Sequence, residues 1–241
     1  MKTLNNKYGK IYLIPSTLGD TDPMQVLPLS VKAIIGETDH YIVENEKSAR
    51  RFIKSTCPEK AQNQLQIQVL NKYTPSEAIP GFLSPCLEGL NVGVISEAGC
   101  PGIADPGAEI AALAHEKDIT TVPLVGPSSI FLALMASGMN GQSFAFNGYL
   151  PIDKTKRRQE IKKLEKRSAD LDQSQIFIET PYRNDQLLAD LSSTLKTNTR
   201  VCVACDITLP TEFIHTKPAG QWKKNTESLH KRPCIFIIHA R

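Results

Sequence analysis

Short apolar runs alternate with stretches of helical period along most of this chain, and that alternation predicts its elements. Lys10–Pro15 (KIYLIP) is an apolar, β-branched run suited to a buried strand, and Gly19 and Pro23 in the following STLGDTDP make a turn. Leu27, Val31, Ile34 and Ile35 then fall at helical spacing. His40–Asn45 (HYIVEN) predicts a second strand, EKSARRFIKS a second helix, and the alternation in QLQIQVLN a third strand. Pro75, Pro80 and Pro85 break up the next stretch, with a helix expected around Phe82–Leu90. Val92, Val94 and Ile95 form a fourth strand ahead of an alanine-rich helix, and Asp118–Gly126 (DITTVPLVG) is the fifth strand. Strand and helix in strict succession imply a parallel sheet covered on both faces.

The second half is patterned less regularly. GPSSIFLALMASG predicts a helix from Pro127 or Ser128 to about Ser137, with Gly138 as its stop. SFAFNGYLP alternates like a strand, DKTKRRQEIKKLEKR is a charged helix, and QIFIET is a strand leading into the helix of PYRNDQLLADL. Thr180 and Pro181 fit that helix's N-cap and first position. TRVCVACDIT and RPCIFIIHA are the last two strands. The expected fold is α/β in two domains, residues 1–125 with a parallel sheet and residues 126–241 with a mixed one, behind a loose terminus over residues 1–9. The length of 241 residues suits two domains of roughly 120.

Composition narrows the class. No apolar run approaches the ~20 residues that span a bilayer, and MKTLNNKYGK is no signal peptide, so a soluble cytoplasmic protein with no membrane partner is expected. A net charge of +3 does not by itself declare a nucleic-acid binder. Its distribution is more telling. Residues 153–167 hold eight Lys or Arg against three acids, and Arg50 and Arg51 beside Lys47 and Lys54 form a second basic group. Each is either a solvated helix face or a phosphate-contacting one. Six scattered cysteines argue for buried thiols; the CxxC of Cys202 and Cys205 lies in a strand pattern that points the two to opposite faces, and no metal site is expected.

No GxxxxGK[ST], GxGxxG or GxSxG motif is present, which weighs against NTPase, Rossmann dehydrogenase and serine-triad chemistry. What remains is a set of loops at predicted strand ends: PSTLGD, ENEKSARR, SEAGCPGIADPG, VGPSS, ETPYRN and CDITLPTE. Ends of parallel strands converge on one edge, so these loops could line one cleft, holding a medium-sized ligand largely by backbone groups. The third is richest. Gly99, Gly102 and Gly107 admit close approach, Pro101 and Pro106 stiffen the loop, and Glu97 and Asp105 add acids. Asp20, Glu44, Glu46, Glu179, Asp206 and Glu212 complete the acidic set, each a functional carboxylate or simply a surface charge or helix cap.

Together these motifs resemble the tetrapyrrole methylase superfamily of S-adenosylmethionine-dependent methyltransferases, and within it the RsmI-like subfamily that methylates a ribose 2′-hydroxyl of small-subunit ribosomal RNA. KIYLIPSTLGD is similar to the family's opening strand and loop, SEAGCPGIADPG to SDAGTPxISDPG, VPLVGPSS to VPxPGPSA, and ETPYR to EAPHR. ASGMNGQSFAFNGYLPIDKTKRR is similar to the subfamily's ASGLP…F.F.GFLP…RR. The resemblance implies two α/β domains with S-adenosylmethionine held between them, usually in a homodimer. It places cofactor contacts at Ser96, Glu97, Ala98 and Gly99, at Ile103 and Asp105, at Ser128 and Ser129, at Glu179 and Thr180, and near Asp206 and Pro233. For a methyl transfer to RNA, Glu44 or Glu179 would take the hydroxyl proton, and Arg50, Arg51, Lys156, Arg157 and Arg158 would hold phosphates.

The departures are specific. ENEKSARRFI stands for EDTRHSRRLL, VLNKYTP lacks both histidines of an SLHEHNE-like run, Tyr182 replaces the histidine of EAPHR, and Cys205 and Leu209 stand where RELTK has basic residues. They fall on the substrate side as much as the cofactor side. Two other readings stay open: a tetrapyrrole or other small-molecule acceptor, and an RNA-binding protein with a vestigial pocket.

Overall fold

A computed structural model describes residues 8–240, so most of the expected loose terminus, and Arg241, lie outside the described residues. The chain divides into two compact units, Met1–Ser128 and Ser129–Arg241.

The first unit runs β1 (Ile11–Ile14), α1 (Leu29–Glu37), β2 (His40–Val43), α2 (Glu46–Thr56), β3 (Gln66–Val69), α3 (Ser84–Leu87), β4 (Val92–Ile95), α4 (Gly107–Glu116) and β5 (Thr121–Pro123). Its sheet has the order β3-β2-β4-β1-β5, every pairing parallel. Alternate side chains explain why the strands read as continuous apolar runs. Ile11, Ile42, Val92 and Val94 pack with Leu83, Ile110 and Ile119 on one face, while Ile14, Tyr41, Val43 and Ile95 pack with Val31, Ile35 and Ile53 on the other. Each such burial contributes about 1.5–3 kcal/mol. Asn45 begins α2 by accepting from the amides of Lys47 and Ser48, at 2.9 and 3.2 Å.

The second unit comprises α5 (Ser129–Ser137), β6 (Phe144–Tyr149), α6 (Lys154–Leu171), β7 (Ser174–Ile178), α7 (Asn184–Thr194), β8 (Arg200–Cys205), β9 (Phe213–Pro218), α8 (Ala219–Trp222) and β10 (Cys234–His239). Its sheet has the order β6-β7-β10-β8-β9; β6 and β7 are parallel and the other pairings antiparallel. Ile161 and Leu164 of α6, Leu187 and Leu191 of α7 and Trp222 of α8 cover one face with Phe177, Val203 and Phe236, and α5 lies against β8, β9 and β10. Among the described residues no helix is long and apolar enough to cross a membrane.

Four local expectations need correction. The helix expected over Phe82–Leu90 is a 3₁₀ segment, Ser76–Leu83, followed by the single turn of α3, because Pro80 and Pro85 each lack an amide donor. The fifth strand shrinks to Thr121–Pro123. Helix α7 begins at Asn184 rather than at Pro181: the Arg183 amide donates to the Thr180 carbonyl at 2.9 Å, closing a turn in place of a cap. Finally, β8 and β10 are not the last two strands in succession. The half-buried β9 lies between them in sequence and pairs with β8 at the sheet edge, and its mixed FIHTKP pattern carries no strong strand signal.

Candidate functional site

In the first unit the carboxyl ends of β1, β2 and β4 bring three loops to one edge. The β4 loop is stitched to the β1 loop: the Ser16 amide donates to the Gly99 carbonyl at 2.9 Å, Ser16 Oγ to the Ser96 carbonyl at 3.1 Å, and Ser96 Oγ to the Gly99 carbonyl at 3.2 Å. Gly99 has φ +76°, and a Cβ there would meet Leu18 Cδ2 at 3.1 Å. Asp105 Oδ1 closes the loop, accepting from the amides of Gly102 and Gly107, each at 2.7 Å. A Cβ on Gly107 would stand 2.8 Å from that oxygen, so glycine is what permits the closure. Asp105 Oδ2 is buried with no partner among the described residues. Ala98 and Ile103 are exposed, Ser96 is buried, and Ser128 is half-buried at the end of the unit.

Among the described residues the acids at this edge are joined without a cation. Glu44 Oε1 accepts from the Glu97 amide at 3.2 Å, and the Glu97 carboxylate accepts from the Ser48 hydroxyl. Burial pushes the Glu44 carboxyl above its ordinary range, with Asp105 and Glu97 adding to the shift against the Glu97 amide.

The two arginines of α2 part ways. Arg50 is committed, through Nε to Glu46 Oε1 at 2.8 Å and Nη1 to the Gln62 carbonyl at 2.7 Å. Arg51 is exposed and makes no ion pair among the described residues. It borders a cavity of about 240 Å³ between the β1 loop, α2 and the end of β4.

In the second unit, Glu179, Thr180, Asp206 and Pro233 meet at one end of the sheet, because β7 and β8 end where β10 begins. Asp206, at φ +50°, donates its amide to the Pro233 carbonyl at 3.0 Å. Both acids are clamped. Buried Glu179 accepts from the Thr180 amide at 2.7 Å and Arg183 Nη2 at 2.6 Å; Asp206 Oδ2 accepts from Arg232 Nε at 2.7 Å and Thr211 Oγ1 at 2.8 Å. Arg183 Nε, Asn184 Oδ1 and Thr208 Oγ1 are buried at this end without partners among the described residues. Ser129 opens α5.

The basic helix α6 corrects one expectation. Arg157 does not face water: it is 5% exposed, paired with buried Asp190 through Nε at 2.9 Å and Nη2 at 2.5 Å, and donates Nη1 to the Ile152 carbonyl at 2.7 Å. Burial raises the Asp190 pKa, but Arg157, Gln186 and Arg158 together hold it below the ordinary carboxylate range. A guanidinium so placed has no free edge for a phosphate. Arg158 touches Asp190 at 3.2 Å yet stays partly exposed, and Lys156, Lys162 and Arg167 are exposed. Asp190 could not have been matched to Arg157 from sequence, being 33 residues away on another helix. The hydroxyl of Ser48 on Glu97 was likewise invisible.

Cys202 and Cys205 do face opposite ways on β8. Cys205 packs in the helix-covered core directly across from Cys234, whose nearness lowers its pKa, and Cys234 Sγ donates to the Arg232 carbonyl at 3.5 Å. All six thiols are free. Among the described residues no group of three or more His, Cys, Asp or Glu side chains is gathered to hold a metal ion.

No protein-family model matches the chain. It is 26% identical over 242 aligned residues, 99% of this chain and 80% of the relative, to "Ribosomal RNA small subunit methyltransferase I" of Escherichia coli O157:H7. Among solved structures it shares its fold with the methyltransferase CobJ (TM-score 0.63, 15% identity, 97% of this chain and 100% of the other). A uroporphyrin-III-C-methyltransferase from Thermus thermophilus gives a TM-score of 0.53 at 17% identity, covering 96% and 92%. The chain is a methyltransferase of tetrapyrrole-methylase fold. Its sequence resembles the small-subunit methyltransferase I proteins over nearly its whole length. The loop Ser96–Gly107 is the stretch whose sequence is similar to SDAGTPxISDPG, and the closure by Asp105 gives a physical reason for an Asp-Pro-Gly at its end.

Proposed function

We propose that this methyltransferase uses S-adenosylmethionine and methylates a ribose 2′-hydroxyl of ribosomal RNA. One observation carries the reading: near full-length similarity to a protein named as a small-subunit ribosomal RNA methyltransferase, joined to a strand-end edge that offers an uncommitted carboxylate and a free arginine.

The first unit's edge fits such a donor. Asp105 Oδ2 waits for a hydrogen-bond donor, exposed Ile103 and Ala98 supply apolar contact, and Ser128 adds a hydroxyl. When bound, S-adenosylmethionine supplies an electrophilic methyl group on a positively charged sulfur, and in-line transfer releases the neutral thioether. The chain's own work is to align the acceptor oxygen and take its proton. Glu44 is the better base of the two candidates. Its carboxyl has one backbone amide and no cation, and its raised pKa moves it toward the range where a carboxylate accepts a proton effectively. Glu179 is already occupied by the Thr180 amide and Arg183 Nη2. Arg51 and the outer face of α6, with Lys156, Arg158, Lys162 and Arg167, would track phosphates.

Mapping ribose methylation in ribosomal RNA from cells with and without the protein tests the reading: one 2′-O-methyl group should vanish. Methyl label appearing instead in the small-molecule fraction would move the acceptor to a tetrapyrrole-like compound. No calorimetric binding of S-adenosylmethionine at millimolar concentration would end the enzyme reading.

A further inference from the structure

The cavity of about 240 Å³ beside α2 is a chemically built site. Ser48, Arg51, Phe52 and Ser55 stand at i, i+3, i+4 and i+7 of α2 and present one helix face to it. Asp20 from the β1 loop and Glu97 from the β4 loop bring carboxylates to the same space. Arg51 is exposed and makes no ion pair among the described residues, whereas its neighbour Arg50, off that face, is fully used in holding Glu46 and the Gln62 carbonyl.

We propose that this cavity is the subsite for a single ribonucleotide of the RNA acceptor; the proposal rests on the RNA methyl-transfer reading above. The chemistry matches group by group. Carboxylates such as Asp20 and Glu97 accept hydrogen bonds from ribose hydroxyls, as acidic residues do toward ribose elsewhere. The Arg51 guanidinium suits a phosphate, and the Phe52 ring is a surface on which a base stacks. The volume is below the 300–1,000 Å³ usual for drug-sized ligands, which suits one nucleotide and is too small for a tetrapyrrole macrocycle. The Glu97 end adjoins the base, since the Glu97 amide donates to Glu44 at 3.2 Å. A ribose hydroxyl held at Glu97 is thus beside the group that would take its proton.

The test is an amide-resolved NMR titration of the full chain with AMP, GMP, CMP and UMP and with their 2′-deoxy counterparts, alongside calorimetry with S-adenosylmethionine. Ribonucleotides should shift the Ser48, Arg51, Phe52 and Glu97 resonances saturably in the millimolar range, and the deoxy forms should bind at least threefold more weakly. Arg51→Ala should weaken ribonucleotide binding about tenfold and leave S-adenosylmethionine affinity unchanged. If S-adenosylmethionine binds but no ribonucleotide shifts these residues, the subsite is wrong and the methyl-transfer reading stands. Competition between S-adenosylmethionine and the ribonucleotides would also overturn it, by giving the cavity to the methyl donor. If neither ligand binds, both readings fall.

Discussion

The strand-end edge of the first unit and the corresponding end of the second both carry acids singled out by sequence, but they treat those acids in opposite ways. Glu44, Glu97 and Asp105 are bonded to amides and a hydroxyl with no cation partner among the described residues, and Glu44 is pushed toward holding its proton. Glu179 and Asp206 are each locked to an arginine four or twenty-six residues away in sequence. The first arrangement leaves a carboxylate able to exchange a proton; the second fixes loops at a sheet end. Residue type and position at a strand end are alike in both, so the partner alone separates chemistry from scaffolding.

The sharpest test exchanges single atoms. Glu44→Gln should lower kcat by about two to four orders of magnitude with little change in Tm, as loss of a general base does. Glu179→Gln should leave kcat far closer to wild type. An equal loss at both, with folding intact, would break the contrast.

Removing the clamp probes the other side. Arg183→Ala strands a Glu179 carboxylate whose side chain is 1% exposed, and should cost on the order of 3 kcal/mol in urea denaturation. Arg157→Ala should behave likewise, through buried Asp190. A change below 1 kcal/mol in either would show that these pairs contribute little to the fold.

A third prediction concerns pH. Because the Glu44 pKa is raised in the folded state, the residue stays protonated to a higher pH than an ordinary glutamate, and a base must be ionised. The kcat/KM profile should therefore rise along an acid limb lying above the usual glutamate range, absent in Glu44→Gln. Its stability contribution runs the other way, falling as pH rises through the raised folded pKa. Asp190 has a lowered pKa and stabilises above the usual carboxylate range, losing that contribution as pH falls through its folded value.

The smallest effects are expected on α6. Lys162→Glu and Arg167→Glu should each weaken RNA binding without altering the fold, and each should flatten the salt dependence by about one unit of slope. Unchanged affinity would make that face merely solvated.

Most of the first unit was legible because a parallel sheet buried on both faces leaves unbroken apolar runs, and Ile11–Ile14, His40–Val43 and Val92–Ile95 all fall inside the stretches that pattern marks. The Gly/Pro loop after β4 was legible too, since Gly99 and Gly107 are demanded by local backbone geometry. β9 was not, because a half-buried edge strand owes its existence to pairing with β8 rather than to its own apolar content. Thr180 misled because a turn and an N-cap favour the same residues.

The sequence by itself determined the alternating elements, the signature loop and the set of residues from which a site is made, all matters of local spacing and backbone freedom. The tertiary structure decided which of two adjacent arginines is free. Arg51 faces a cavity while Arg50 is spent on Glu46, and Arg158 reaches water while Arg157 is buried against Asp190. Neighbours on a helix point about 100° apart, so one sequence position changes the partner entirely. What lies in each direction is supplied by chain that is distant in sequence.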